Sequence, residues 1–417
     1  MDARTKSLFT DSIPSWVVDV CTTLKEAGFQ AWAVGGAVRD VLMSKVPQDW
    51  DVATDALPEE VMKCFKRVLP TGVEHGTVTV LAPCPKGVEH IEVTTFRGEG
   101  DYTDHRRPDQ VTFGVPLTED LARRDFKCNA IAFDPIEQKL FDPFEGQKDI
   151  EDRVINAVGD PCRRFDEDGL RVMRALRFQS VLGFSLGEDT RLALEPSLKS
   201  FRAVAKERVL SEFTKMIGGV NFENALKTSM NANVFGAIFP SVDVKNFRAI
   251  LQRATQLPQT PEVQLLSIFW GTDSKQSEKA LKTLTVSNQL KKHVVQGLEH
   301  GQSSVANDGL YSCRVFLSKF DKPVANDVLK IWSLVADAAN HPKAWIVNCE
   351  KVLDDNDPLN VVDLKIKGKD LLSECGLKPG PQLGEMLRRC LDCVWEDPKK
   401  NQRQHLLDLV NTWTSDN

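Results

Sequence analysis

The stretch Ala33–Thr54, AVGGAVRDVLMSKVPQDWDVAT, leaves this chain few ways to begin folding. An apolar run, Ala31-Trp32-Ala33-Val34, reads as a short strand. It turns on Gly35-Gly36, enters a helix-like run carrying Arg39 and Asp40, and returns as a second strand presenting Asp49 and Asp51. Paired glycines between a strand and a helix let backbone N–H groups approach phosphate oxygens, and the new helix offers its positive end. Arg39, in the first turn, adds a charge-assisted fork to the same phosphates. Asp49 and Asp51 are two apart, so on a strand they share one face while Trp50 and Val52 face the core. Two such carboxylates repel each other unless a hard cation sits between them, and Mg²⁺ with phosphate oxygens is the usual solution. The pieces are each common; in this order and spacing they suit a nucleoside triphosphate.

Three further stretches carry chemistry. Leu121–Ala132 (LARRDFKCNAIA) holds Arg123-Arg124-Asp125 ahead of a strand over 129–133. Asp125 is placed to accept a hydrogen bond from a ribose 2′-hydroxyl, and Arg124 to hold a triphosphate. Arg164–Phe178 (RFDEDGLRVMRALRF) reads as one helix, capped by Asp166 with Glu167 and Asp168 in its first turn. Glu167 and Arg171 are four apart and pair, orienting the guanidinium, while Asp168 and Arg171 reach one ligand together. Arg171, Arg174 and Arg177 follow at three-residue steps on one face, and Leu170, Met173 and Leu176 serve the core. In Lys206–Lys215 (KERVLSEFTK), Arg208 and Glu212 stand four apart, the spacing of a structural ion pair.

GGxVRD followed by DxD, then RRD, EDxxR and RxxRF, resembles the bacterial tRNA CCA-adding enzyme and poly(A) polymerase family, the class II tRNA nucleotidyltransferases. The resemblance implies template-independent addition of CCA to the tRNA 3′ end from CTP and ATP, releasing pyrophosphate, with Mg²⁺ in a two-metal arrangement on Asp49 and Asp51. It implies nucleotide binding by Gly35, Gly36, Arg39, Arg124, Asp125, Asp168, Arg171, Arg174 and Arg177. In that family a carboxylate and a guanidinium imitate the Watson–Crick edge of a partner base, and those roles fall on Asp168 and Arg171, with Glu167 orienting and Arg208 and Glu212 structural. The chemistry is sound, because a carboxylate accepts from the exocyclic amino group of C or A and an arginine donates to a ring nitrogen or carbonyl. FDPFEG matches the family's DxxxG hinge through Asp142 and Gly146, but Glu145 replaces the usual second glycine. A loop over Phe96–Pro108, with Asp104, Arg106 and Arg107, corresponds to the one that helps relatives switch from C to A. Alternatives stay open: an A-adding enzyme, a poly(A) polymerase, a small-molecule nucleotidyltransferase or a catalytically silent RNA-binding module.

The expected fold is α+β, with an α/β nucleotidyltransferase head of mixed sheet over 1–150. An all-α remainder follows as neck (151–220), body (221–345) and tail (346–417). Before the sheet, 12–28 reads as an amphipathic helix on the sheet edge, ending at Gly28. A net charge of −6 is awkward for an RNA-binding enzyme, but net charge does not locate charges. The tail holds a basic cluster of Lys365, Lys367, Lys369, Lys378, Arg388 and Arg389, in a segment that in relatives grips the tRNA elbow. Ten cysteines show no disulfide framework, and Cys390/Cys393 is a lone CxxC, read as two positions on an amphipathic helix. With no long apolar segment near the N-terminus, the chain is expected in the cytoplasm, off the membrane.

Overall fold

The computed structural model describes residues 3–99, 111–240, 247–303, 308–335 and 343–415. It divides into two compact units, Met1–Ile238 and Phe239–Asn417. The first is built on strands β1 (Ala31–Val34), β2 (Asp51–Thr54), β3 (Val68–Gly72), β4 (Thr77–Cys84), β5 (Gly87–Thr95), β6 (Arg97–Glu99), β7 (Val111–Phe113), β8 (Ala132–Asp134) and β9 (Lys139–Phe141). Seven of them form one mixed sheet in the order β3-β4-β5-β2-β1-β8-β9, and β6 pairs only with β7. Within the seven, only the β2–β5 contact is parallel. That contact sets Asp51 beside Glu92, while the antiparallel β1–β2 register sets Val34 opposite Asp51.

The helices of the sheet region are α1 (Ala3–Ser12), α2 (Ser15–Glu26), α3 (Gly36–Leu42), α4 (Pro58–Cys64), α5 (Leu117–Ala122) and α6 (Gly146–Glu151). Helix α2 buries Val17, Val20, Cys21 and Leu24. It touches both β1 and β4, which are three places apart in the sheet, so it lies across a face and not on the edge. The reason is its apolar stripe, which buries more against a face than an edge strand can offer. On the same chain end, Phe9 stacks on Phe133 with ring centroids 3.9 Å apart.

Beyond the sheet, α7 (Pro161–Glu167) and α8 (Leu170–Leu182) replace the single helix expected over 164–178. Asp160, not Asp166, caps α7 by accepting from the Arg163 N–H at 2.7 Å. Asp166 instead accepts from the Ser200 hydroxyl. Helix α8 is buried on nearly every side, including Arg171. The unit is completed by β10 (Val154–Ile155), β11 (Ser185–Leu186), α9 (Glu188–Leu192), α10 (Leu198–Ala203), α11 (Lys206–Ile217), α12 (Phe222–Asn231) and α13 (Val234–Ile238).

The second unit is helical throughout its described residues, from Phe247–Gln256 to Arg403–Ser415. Pro323 sits at the second position of Lys322–Val335, where its missing N–H costs no intrahelical bond. Its last part packs Leu364, Ile366, Leu371, Leu391, Val394, Leu406 and Val410 into one apolar cluster. Cys390 is buried in that cluster, and Cys393 lies on the same helix, Pro381–Glu396. Among the described residues no helix is long and apolar enough to cross a membrane.

Candidate active site

Gly35, with φ +75°, is the residue between β1 and α3 and stands at the helix's N-terminal cap position. A Cβ at this position would lie 2.9 Å from Nη1 of Arg124 and 4.0 Å from Oδ2 of Asp51. The GG turn, the DxD strand and the RRD segment therefore meet at one point, though 90 residues separate the first from the last. Glycine is required here twice over, by its backbone conformation and by this close approach. Helix α3 is only seven residues long, so its dipole is a small contribution. The nearest fixed positive charge is the guanidinium of Arg124.

Asp49 is exposed and lies just ahead of β2, Trp50 turns into the core, and Asp51 opens the strand. Burial pushes the Asp51 carboxyl up to about 6, with Glu92 and Asp49 adding repulsion and Arg124 opposing it. Glu92 was not singled out from the sequence. The signal was there, since in HIEVT it alternates with the buried Ile91 and Val93, but which strand β5 joins is a tertiary fact.

Arg124 accompanies Asp120 at 3.4 Å, and burial lowers its guanidinium below the usual value. Its Nε is buried with no hydrogen-bond partner among the described residues. Two side chains expected at the nucleotide are held by neighbouring groups of the protein. Arg39 does not offer its fork outward, because Nε and Nη2 donate to Asp40 at 3.0 and 2.7 Å and Nη1 donates to Asn129 at 2.6 Å. Asp125 is engaged in the same way. One of its oxygens accepts from the Phe126 N–H and the Asn129 amide at 2.9 and 3.1 Å, and the other accepts from Nε of Arg174 at 2.7 Å and pairs with Nη2. A carboxylate has about four acceptor positions, and these are taken.

The neck residues are organised as a lattice of ion pairs. Glu167 holds Arg171 at 2.8 Å and Arg164 at 2.7 Å. Arg171 also donates to the carbonyls of Arg164 and Arg123, both at 2.9 Å, which ties α8 to the RRD segment. Asp168 accepts from the Leu170 N–H at 3.1 Å and from Arg208 at 3.2 Å. Arg208 and Glu212 are thus not each other's partners. Glu212 pairs with Arg177 at 2.6 Å, and that guanidinium lies 3.9 Å from the Phe178 ring. The three arginines expected on one face meet three different carboxylates, because α8 is surrounded on nearly every side.

In the second unit, Lys365, Lys367 and Lys369 are exposed, while Leu364 just ahead of them and Ile366 among them are buried. Lys378 and Arg388 are exposed too, and Arg389 stacks on Trp413 at 4.3 Å. The loop residues Asp104, Arg106 and Arg107 lie outside the described residues.

Among the described residues no group of three or more His, Cys, Asp or Glu is gathered as a metal cage. The donor set instead suits a cation held partly by its substrate. A protein supplying one or two carboxylates, with phosphate oxygens and water completing the shell, is how Mg²⁺ is usually bound. Burial first, and then the carboxylates Glu92 and Asp49, disfavour the charged form of Asp51, and a cation bound there would relieve both.

Comparison with known proteins agrees with this geometry. Residues 31–156 match the family described as the Poly A polymerase head domain, and residues 259–410 match tRNA nucleotidyltransferase domain 2. The chain is 36% identical to the CCA-adding enzyme of Pediococcus pentosaceus over 410 residues, covering 95% of this chain and 97% of that one. It is also 36% identical to the CCA-adding enzyme of Anoxybacillus flavithermus, covering 93% and 94%. Among solved structures it is similar to the Bacillus stearothermophilus CCA-adding enzyme in complex with CTP, with TM-score 0.77, 27% identity and coverage of 100% and 98%.

Proposed function

The chain belongs to the family of the CCA-adding enzymes, and we propose that it adds C, C and A in turn to the 3′ end of tRNA from CTP and ATP, releasing pyrophosphate. The observation that carries this reading is the meeting of Gly35, Asp51 and Arg124 at one point. It brings a close backbone approach, a carboxylate and a guanidinium to where a triphosphate would lie.

Asp49 and Asp51 would hold Mg²⁺, with Glu92 beside Asp51 adding to the negative field. A bound divalent cation supplies a lowered pKa for the RNA 3′-hydroxyl and charge neutralisation on the leaving group. The protein's own part is positional. Arg124 holds phosphate oxygens through charge-assisted hydrogen bonds, and Gly35 lets the chain come close enough for backbone contacts. Asp168 and Arg171 would read the base edge, with Glu167 and Arg208 orienting them. Arg39, Asp125, Arg174 and Arg177 would act as supports for that surface. The tail lysines Lys365, Lys367 and Lys369, with Lys378, Arg388 and Arg389, would meet RNA phosphates.

The test is to supply tRNA transcripts ending before CCA, after C and after CC with CTP and ATP, separately and together, and to resolve each addition on a sequencing gel. CCA built on the shortest transcript, followed by a stop, is the expected result. A single A added only to the CC-ended transcript would make it an A-adding enzyme, and long A tracts a poly(A) polymerase. No incorporation would overturn the enzymatic reading.

A further inference from the structure

A polar cavity of about 450 Å³ opens in the first unit between the Asp152-Arg153 turn, the end of α8 and one side of α12. None of its lining residues belongs to the site described above. Helix α12 is two-faced. It buries Phe222, Ala225, Leu226 and Ser229, while Asn221 at its cap and Asn224, Thr228 and Asn231 line the cavity at helical spacing. Two cationic side chains, Arg153 and Lys227, also line it, and neither has an ion-pair partner among the described residues.

The cavity wall is pre-formed. The Ser180 hydroxyl donates to the Met216 carbonyl at 2.6 Å, and the Asn221 N–H donates to the Ser180 carbonyl at 3.0 Å. A Cβ on Gly219 would lie 2.2 Å from the Ser180 hydroxyl oxygen, so α8 and the chain entering α12 are in close contact. On the other side, the Arg153 carbonyl accepts from the Ser185 N–H at 3.0 Å. Gln179, on α8 and only 7% exposed, lines the cavity, and its Oε1 has no hydrogen-bond partner among the described residues. A buried amide oxygen left without a donor is destabilising unless a ligand supplies one.

The chemistry of the lining selects the occupant. An apolar ligand would find one aromatic side chain, Phe184, against a wall of amides and hydroxyls. A metal cation would be repelled by Arg153 and Lys227. A bare inorganic anion would satisfy those two charges and leave the amide stripe on α12 idle. We propose that this cavity binds a phosphorylated ribose, with Arg153 and Lys227 on the phosphate and the Asn224, Gln179 and Asp152 side chains on sugar hydroxyls. Both a free nucleotide and an RNA strand carry that unit. Gln179 stands eight residues beyond Arg171 on α8, about 12 Å along its axis, which keeps this cavity apart from the base-reading residues.

The proposal is independent of nucleotidyl transfer, and its test reads binding. Radiolabelled ribose 5-phosphate is dialysed against the full-length protein with the base-reading site saturated by CTP. Saturable uptake is expected, weakened at least tenfold by the exposed pair Arg153→Ala and Lys227→Ala, and also by Gln179→Leu, with unchanged thermal midpoints. Lys227→Glu alone serves if the double variant unfolds early. In parallel, tRNA affinity is measured against salt. If the strand is the source, the double variant weakens tRNA binding and flattens the log–log salt slope by about two. If the source is a free nucleotide, tRNA binding is unchanged and only ribose 5-phosphate uptake is lost. The proposal is overturned if tRNA binding is unaffected and uptake is either absent or equal in wild type and variants.

Discussion

Burial and the neighbouring Glu92 push the Asp51 carboxyl up to about 6, so its charge is held at a cost to the fold. A carboxyl whose pKa is raised on folding contributes stability at acid pH and loses it as pH rises from about 4 to about 6. In chelator, the stability advantage of Asp51→Asn over wild type should therefore be larger at pH 7.5 than at pH 5 by about 1 kcal/mol, after allowance for solvent screening. In Mg²⁺ the same variant should lose transfer by more than about 100-fold while keeping its affinity for tRNA. An equal advantage at both pH values would remove the surplus charge from the account, and near-normal turnover would remove the metal role. Asp125 shows the opposite case. Burial works against its charge, but Arg174 and Asn129 hold its carboxyl below the usual range. Removing its partner with Arg174→Met should destabilise the protein by about 3 kcal/mol, because an uncompensated buried charge remains. A chemical denaturation midpoint within error of wild type would show Asp125 is adequately solvated.

At the scale of elements, two helix starts matter. Asp142 caps the entry to α6, accepting from the Gly146 and Gln147 N–H groups at 2.7 and 2.9 Å. Between them Glu145 adopts φ +61° and ψ +35°, a left-handed conformation that strains a residue with a side chain. Glu145→Gly should stabilise the protein by about 0.5 kcal/mol, the relief of strain being partly offset by the freer unfolded chain. Gly146→Ala should do the reverse and more, since its Cβ would lie 2.2 Å from the Lys127 carbonyl oxygen. A loss under about 1 kcal/mol on unfolding would mean the α6 entry yields easily. The break between α7 and α8 has a similar origin. The chain leaves the helix at Asp168, with φ −139° and ψ 104°, and the adjoining Gly169, where a Cβ would lie 2.3 Å from the Ser200 carbonyl oxygen, lets α10 approach. The turn frees Asp168 to cap α8 and to pair with Arg208, which a continuous helix would not permit.

For the whole molecule, a chain of net charge −6 must still attract a polyanion. Clustering resolves this, because attraction follows the local field. Lys365, Lys367 and Lys369 are exposed together on one segment, whereas Arg403 is tied to Asp370 and Glu374 and Lys400 to Glu396. Converting the three lysines to alanine should weaken tRNA binding and reduce its log–log salt slope by about two to three, with turnover at saturating tRNA retained. An unchanged slope in a filter-binding series would remove this segment from the RNA contact.

The amino-acid sequence determined the local vocabulary by itself. The apolar run before Gly35-Gly36, the alternation around Asp49 and Asp51, and the four-residue spacing of Glu167 and Arg171 each depend on neighbours in the chain. That was enough for the fold class and the family. Which charge meets which was decided only by tertiary structure. Arg39 went to Asp40 and Asn129, Asp125 to Arg174, and Glu212 to Arg177, while Glu92 came to Asp51 through a parallel strand contact. The physical reason is range. Backbone periodicity is set within a few residues, but a buried charge needs a partner, and the fold supplies one from wherever the chain next passes.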